Sequence, residues 1–184
     1  MRDLEEIVRE YARASCGFDA SIDTGGVFPA TGAGASPAGA AIFENPVCGD
    51  WFAPVPGASG EGLSLRWKGE GCGLMCASAS LLCRAGEGAS PGVLAAFIAY
   101  AAELARGGVP LPADDIRVTA RDGVLLAVMK DYPDCCDLDD EPACTALRVL
   151  AAFAAKPVRR ECVLLPWNAF GEVLRQTEIS RGRA

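Results

Sequence analysis

Apolar and polar positions along the chain follow two periods. Residues 3–14 (DLEEIVREYARA) place Leu4, Ile7, Val8 and Tyr11 at i, i+3, i+4 and i+7, one face of an amphipathic helix, with Gly17 as its stop. Residues 62–68 (GLSLRWK) alternate instead. Leu63, Leu65 and Trp67 point one way and Ser64, Arg66 and Lys68 the other, the clearest strand signal in the chain. Residues 91–106 make the strongest helix, with Pro91 in its first turn, a stripe from Val93 to Ala105, and Gly107-Gly108 after it. A small-residue run from Gly73 to Arg84 reads as a closely packed helix, and 143–155 (ACTALRVLAAFAA) as another, ended by Lys156-Pro157. Cys162 to Leu174 is the last helical pattern, and the tail from about 176 is expected to fray.

Other stretches carry less pattern. Residues 24–41 are rich in Gly, Pro, Ala, Ser and Thr and read as a loop, with a weak strand around Ala40 to Phe43. Residues 45–50 (NPVCGD) form a turn, and 51–60 are again turn-rich. In 109–138, Ile116, Val118 and Ala120 alternate before Arg121-Asp122-Gly123, and Val124 to Met129 is apolar. A small hairpin is the reading preferred there over a helix. The acidic stretch from Asp131 to Glu141 holds the adjacent Cys135 and Cys136.

Composition narrows the chemistry. The 184 residues are 51 % hydrophobic, enough for one domain to build a core without disulfides. There are 9 cysteines and no histidine. An odd count forbids complete internal pairing. The missing histidine removes the Ser–His–Asp triad, the Cys–His dyad and His-ligated zinc or haem. A net charge of −7 disfavours phosphate backbones, so no nucleic-acid partner is expected. Met1-Arg2-Asp3-Leu4-Glu5-Glu6 lacks the pattern of a secretory signal, and no apolar run reaches the ~18 residues of a membrane span. The expected setting is a reducing cytoplasm, where cysteines serve as metal ligands or reactive thiols.

The nine cysteines differ in local setting. Cys48 lies in a turn two residues before Asp50, so thiolate and carboxylate can face one ion; equally, Cys48 can be a small apolar residue beside a turn-capping Asp50. Cys72 stands between Gly69-Glu70-Gly71 and a helix start, where the dipole lowers a thiol pKa. The same argument applies to Cys162, read as opening the last helix, with Arg159 and Arg160 adding positive potential and Glu161 opposing it. Cys76 and Cys83 share a face with Cys72 and read as small packing residues. Cys16 and Cys144 have no partner motif. No C-x-x-C pair exists, so thioredoxin and zinc-ribbon patterns are absent. Any metal site must be assembled across the chain, and the candidates are Cys48, Asp50, Cys72 and Cys162.

Asn45-Pro46-Val47-Cys48-Gly49-Asp50, then Trp67-Lys68-Gly69-Glu70-Gly71-Cys72, Ala77-Ser78-Ala79-Ser80 and Arg159-Arg160-Glu161-Cys162 through Trp167 resemble the NifU/IscU-type iron–sulfur cluster assembly scaffolds. Glu161 stands where IscU proteins carry a histidine, and with the tryptophan ending this is most like the SufU branch. Two departures stand out: residues Ala12 to Gly17 leave the family pattern, and an insertion at about 109–138 is expected within an otherwise single SufU-like domain, 1–184.

The resemblance implies an α+β fold, a small antiparallel sheet of about three strands with helices packed on one side. It implies that Cys48, Asp50, Cys72 and Cys162 meet at one end of that sheet around zinc, with Arg159 behind Asp50. Cys48 would take sulfur from a cysteine desulfurase of the SufS type, and downstream cluster-assembly or acceptor proteins would follow. Alternatively the same four ligands would hold a transient [2Fe–2S] cluster. Either way the protein is a scaffold or sulfurtransferase-like acceptor rather than a conventional enzyme. Two other readings compete: a structural zinc-binding interaction domain without sulfur transfer, and a thiol–disulfide protein using Cys135 and Cys136.

Overall fold

The helix α1 (Leu4–Ala14) forms on the predicted stripe, burying Ile7, and Ser15 closes it in the left-handed conformation. This computed structural model describes residues 3–24, 40–59, 62–107, 120–131, 141–154 and 156–181. Cys135 and Cys136, and the alternating Ile116 and Val118, lie outside them.

Three antiparallel strands follow in the order β1 (Phe43–Glu44), β2 (Trp51–Ser59), β3 (Gly62–Glu70). β3 behaves as its alternation predicts: Leu65 and Trp67 are buried and Arg66 is exposed. β2 corrects the turn-rich reading of 51–60. It pairs with β3 along its whole length, Trp51 opposite Glu70 through Ser59 opposite Gly62. Its two prolines fit because of where they fall. The Trp67 N–H donates to the Gly17 carbonyl at 2.8 Å, and its carbonyl accepts from the Asp19 N–H at 2.8 Å. Trp67 therefore turns its backbone groups away from β2, which makes Pro54–Trp67 and Pro56–Leu65 non-hydrogen-bonded pairs. The N–H that each proline lacks would have faced the opposite edge, past the two residues that β1 pairs.

Helices cover one face of this sheet. The central helix, α2 (Gly73–Gly86), is buried along most of its length and touches α1, β3 and the two last helices. Next comes α3 (Pro91–Ala105), with Ser90 as N-cap and Pro91 in its first turn. α4 (Ala120–Asp131) overturns the expected hairpin across its span. Leu125, Val128 and Met129 are buried at i, i+3 and i+4, while Ala127 and Lys130 are exposed, so the period is helical. α5 (Pro142–Ala154) matches its prediction. The last helix, α6 (Pro157–Arg181), begins five residues before Cys162 and runs past the expected fraying point.

The core joins these layers through aromatic rings. Phe52 stacks on Trp67 with centroids 5.3 Å apart, and Phe170 meets Phe52 edge-on at 5.6 Å, tying α6 to the sheet. Phe97 of α3 meets Trp167 of α6 at 5.6 Å. Among the described residues, no helix is long and apolar enough to cross a membrane.

Candidate metal centre

The turn before β2 is built by Asn45. Its side-chain oxygen accepts from the Val47 N–H at 3.0 Å, its carbonyl from the Gly49 N–H at 2.8 Å, and its own N–H donates to the Asp50 carbonyl at 2.8 Å. Gly49 takes φ +74°, a region that costs an L-residue about 1–2 kcal/mol. The result is a tight loop that lifts Cys48 to the surface and sends Asp50 inward, 6 % exposed.

Two helices meet this loop. Cys72 is the N-cap of α2, as its setting predicts, and its N–H donates to Asp50 Oδ1 at 3.2 Å. Gly71 lets the chain pass close to that carboxylate, since a Cβ there would stand 2.8 Å from Asp50 Cγ and 2.6 Å from Met75 Cε. Cys162 arrives on α6, 2 % exposed. Its Sγ lies 3.8 Å from Cys48 Sγ, accepts from Asn45 Nδ2 at 3.7 Å and approaches the Val158 carbonyl at 3.6 Å.

The ligand atoms of Cys48, Asp50 and Cys162 lie within 4.8 Å of one another. Cys72 stands outside that tight trio. It borders the trio by its N–H bond to Asp50 and by its interaction with the Cys162 thiol. This group fits a cation. Asp50 Oδ2 is buried without a hydrogen-bond partner, which is costly for a carboxylate unless something positive meets it. Two sulfurs on a tetrahedral zinc, each about 2.3 Å from the metal, stand about 3.8 Å apart. Cys48 and Cys162 already have that spacing, while a disulfide needs about 2.05 Å.

The helix-terminus argument for Cys162 fails. α6 starts at Pro157, so Cys162 lies in its second turn, beyond the free N–H groups. Burial pushes its thiol up to about 12, reinforced by Cys72 and then Cys48. Thiols so close cannot all ionise without a compensating cation. Pro166 inside α6 also leaves the Cys162 carbonyl without the N–H four residues on. Arg159 is exposed in the first turn of α6, and among the described residues no ion pair joins it to Asp50. The Cys72 N–H bonds to that carboxylate instead.

Of the remaining cysteines, Cys83 and Cys144 are buried packing residues, and burial pushes the Cys83 thiol well up. Cys76 is half-buried, its thiol raised by burial first and then by Cys72 and Asp50. Asn45 is the site residue that the cysteine-by-cysteine reading overlooked; the Asn-Pro opening of the turn was its signal. The A-S-A-S run has its own task. Ser78 Oγ donates to the Val163 carbonyl at 2.6 Å and accepts from Trp167 Nε1 at 2.9 Å, locking α2 to α6 beside Cys162.

No protein-family model and no curated protein matches the sequence. Solved structures do match over nearly the whole chain. One is the 2.3 Å crystal structure of a hypothetical protein, 18 % identical, covering 94 % of this chain and 96 % of that one, with TM-score 0.59. Another is a NifU-like protein (N-terminal) from Brucella abortus, 15 % identical, covering 94 % and 92 %, with TM-score 0.57. A third is FiSufU from the thermophile Fervidobacterium islandicum AW-1, described as an iron–sulfur cluster assembly scaffold for the SUF system. It is 16 % identical, covers 92 % and 94 %, and has TM-score 0.51. The expected α+β architecture is therefore the observed one, and the chain has the fold of these SufU and NifU-like structures.

Proposed function

We propose that this chain is an iron–sulfur cluster assembly protein. It accepts sulfur from a cysteine desulfurase on Cys48, with zinc held by Cys48, Asp50, Cys72 and Cys162, or it carries a nascent [2Fe–2S] cluster on the same four residues as cargo. The observation that carries this reading is the convergence of Cys48, Asp50 and Cys162 within 4.8 Å. The same cluster combines a sulfur spacing suited to a tetrahedral metal with an orphaned carboxylate oxygen, which supports the reading. The shared fold with FiSufU supports the same reading. Bound metal would supply the charge that keeps the thiols deprotonated, a task burial opposes.

Exposure favours transfer over a purely structural zinc site. Structural sites are closed, whereas Cys48 is exposed beside Pro46, Val47 and Gly49. A partner loop can reach it. Asp50 is the weak oxygen donor in a sulfur-rich set, the ligand an incoming sulfur most readily displaces.

The test uses the purified chain, a SufS-type cysteine desulfurase and cysteine. Persulfide on Cys48 by mass spectrometry, abolished in Cys48→Ser, is the expected result. Neither persulfide nor faster desulfurase turnover would sink sulfur transfer. Anaerobic reconstitution with iron and sulfide then tests the cargo arm, and a colourless product counts against it.

A further inference from the structure

Asn45 is no ligand, yet it reaches the centre. Its Oδ1 accepts from the Val47 N–H at 3.0 Å. That bond fixes which way the side-chain amide faces, because Nδ2 has no lone pair with which to accept in its place. Nδ2 is thereby turned to Cys162 Sγ, 3.7 Å away. Asn45 is 3 % exposed and Cys162 2 %, so water does not compete for either group. The bond joins the turn before β2 to the second turn of α6, 117 positions away.

The two neighbouring sulfurs therefore have unlike surroundings. Cys48 and Cys162 lie 3.8 Å apart. Cys48 is exposed, and among the described residues no N–H donates to its sulfur. Cys162 is buried and faces the amide N–H. The Val158 carbonyl, 3.6 Å from Cys162 Sγ, takes the proton of a neutral thiol but has nothing to give a thiolate. Once a cation has displaced that proton, Asn45 is the donor that remains. An N–H aimed at a thiolate is charge-assisted, stronger than one aimed at a thiol, and it draws electron density from the sulfur.

Resting on the reading of the centre given above, we propose that Asn45 is a positioning residue that tells these two sulfurs apart: its amide N–H bonds to the Cys162 thiolate, which leaves Cys48 the more electron-rich sulfur of the pair. Asn45 touches no transferred atom and acts through Cys162. The same residue sets the loop that carries Cys48, through its bonds to Val47, Gly49 and Asp50. One side chain thus registers the exposed thiol against the buried one and marks the buried one as the poorer nucleophile.

The chain has two asparagines, Asn45 and the exposed Asn168. Labelling asparagine alone with nitrogen-15 therefore gives two side-chain amide pairs by NMR, with Asn168 as the solvent reference. In the full chain loaded with cadmium-113, the Asn45 pair should lie downfield, exchange slowly and couple to cadmium through the Cys162 sulfur. Asn45→Ser keeps an oxygen for the Val47 N–H but does not reach Cys162. It should remove that pair, weaken cadmium binding about 10–100-fold, and move the sulfur-to-cobalt charge-transfer band of the cobalt(II) form to longer wavelength with its intensity kept. Two uncoupled, solvent-like pairs in a cadmium-loaded chain would overturn the Asn45 role alone. An unmoved cobalt band in folded Asn45→Ser, even at weakened affinity, would reduce Asn45 to a turn former and overturn the role as well. If that variant does not fold, the cadmium spectrum of the wild type decides. No thiolate-bound cadmium resonance in the wild type would overturn the centre itself, and the Asn45 role with it.

Discussion

Replacing Ser78 with alanine probes the link between packing and site. Ser78 is 1 % exposed, and its hydroxyl holds the Val163 carbonyl at 2.6 Å and the Trp167 indole N–H at 2.9 Å. Trp167 is fully buried, so its N–H cannot turn to water once the hydroxyl is gone. That orphaned donor costs about 1–3 kcal/mol, and the lost bond to Val163 adds about 0.5–1.5 kcal/mol, because that carbonyl keeps its place in the α6 ladder. A total of about 3 kcal/mol lowers Tm by about 6–12 °C in a domain of this size. Urea unfolding of the metal-free chain, followed by circular dichroism, measures it. Trp167→Phe removes the stranded donor, so it should cost about 1–2 kcal/mol less in the Ser78→Ala background than in the wild type. Cys72 and Cys162 sit on the two helices this hydroxyl joins, so Ser78→Ala should also weaken cobalt binding about tenfold with every ligand present. A variant within about 0.5 kcal/mol of the wild type, or an additive cycle, would refute the reasoning.

Three further outcomes follow from the same geometry. Gly71→Ala should leave the fold intact but weaken metal binding at least tenfold, because its Cβ would press on Asp50 Cγ and Met75 Cε; isothermal titration with zinc giving wild-type affinity would disprove this. Among the cysteines of the described residues, timed alkylation of the metal-free chain should modify Cys48 first and Cys83 and Cys144 last, with metal protecting Cys48; prompt labelling of Cys83 in the native state would contradict its burial. Asp19 is held below its ordinary 3.8 chiefly by hydrogen bonds from Ser21, then by Arg66. A lowered carboxyl pKa stabilises the fold above the unfolded value and loses that contribution as pH falls through the folded value. The Asp19 carboxyl should therefore titrate below 3.8 by NMR, and a midpoint at or above it in the wild type would refute the assignment.

Elements whose period is contained in their own residues were legible from local pattern: α1, β3, α3 and α5 each carry a complete stripe or alternation. β2 was not. Pro54, Pro56 and Gly57 read as turn residues, and only pairing with β3 shows that both prolines occupy places where no ladder N–H is needed. α4 was misread because a short apolar run suits strand or helix equally until Leu125, Val128 and Met129 find the same buried face. The start of α6 was hidden because Val158 to Glu161 carry no apolar stripe.

The candidate site divides the same way. Residue identity determined the donor chemistry, since nine cysteines without histidine leave sulfur and carboxylate as the means of holding a soft or borderline metal. Local turn chemistry determined that Asn45 to Asp50 would fold into a loop presenting one thiol and one carboxylate. Distance was a tertiary matter. Cys48 and Cys162 are 114 positions apart and meet at 3.8 Å because α6 packs on β2 and Ser78 pins it to α2. Protonation was tertiary too: burial among neighbouring thiols, rather than a helix dipole, governs Cys162. A residue's type is carried by the chain itself, but its solvent, its neighbours and its charge state belong to whatever the fold brings against it.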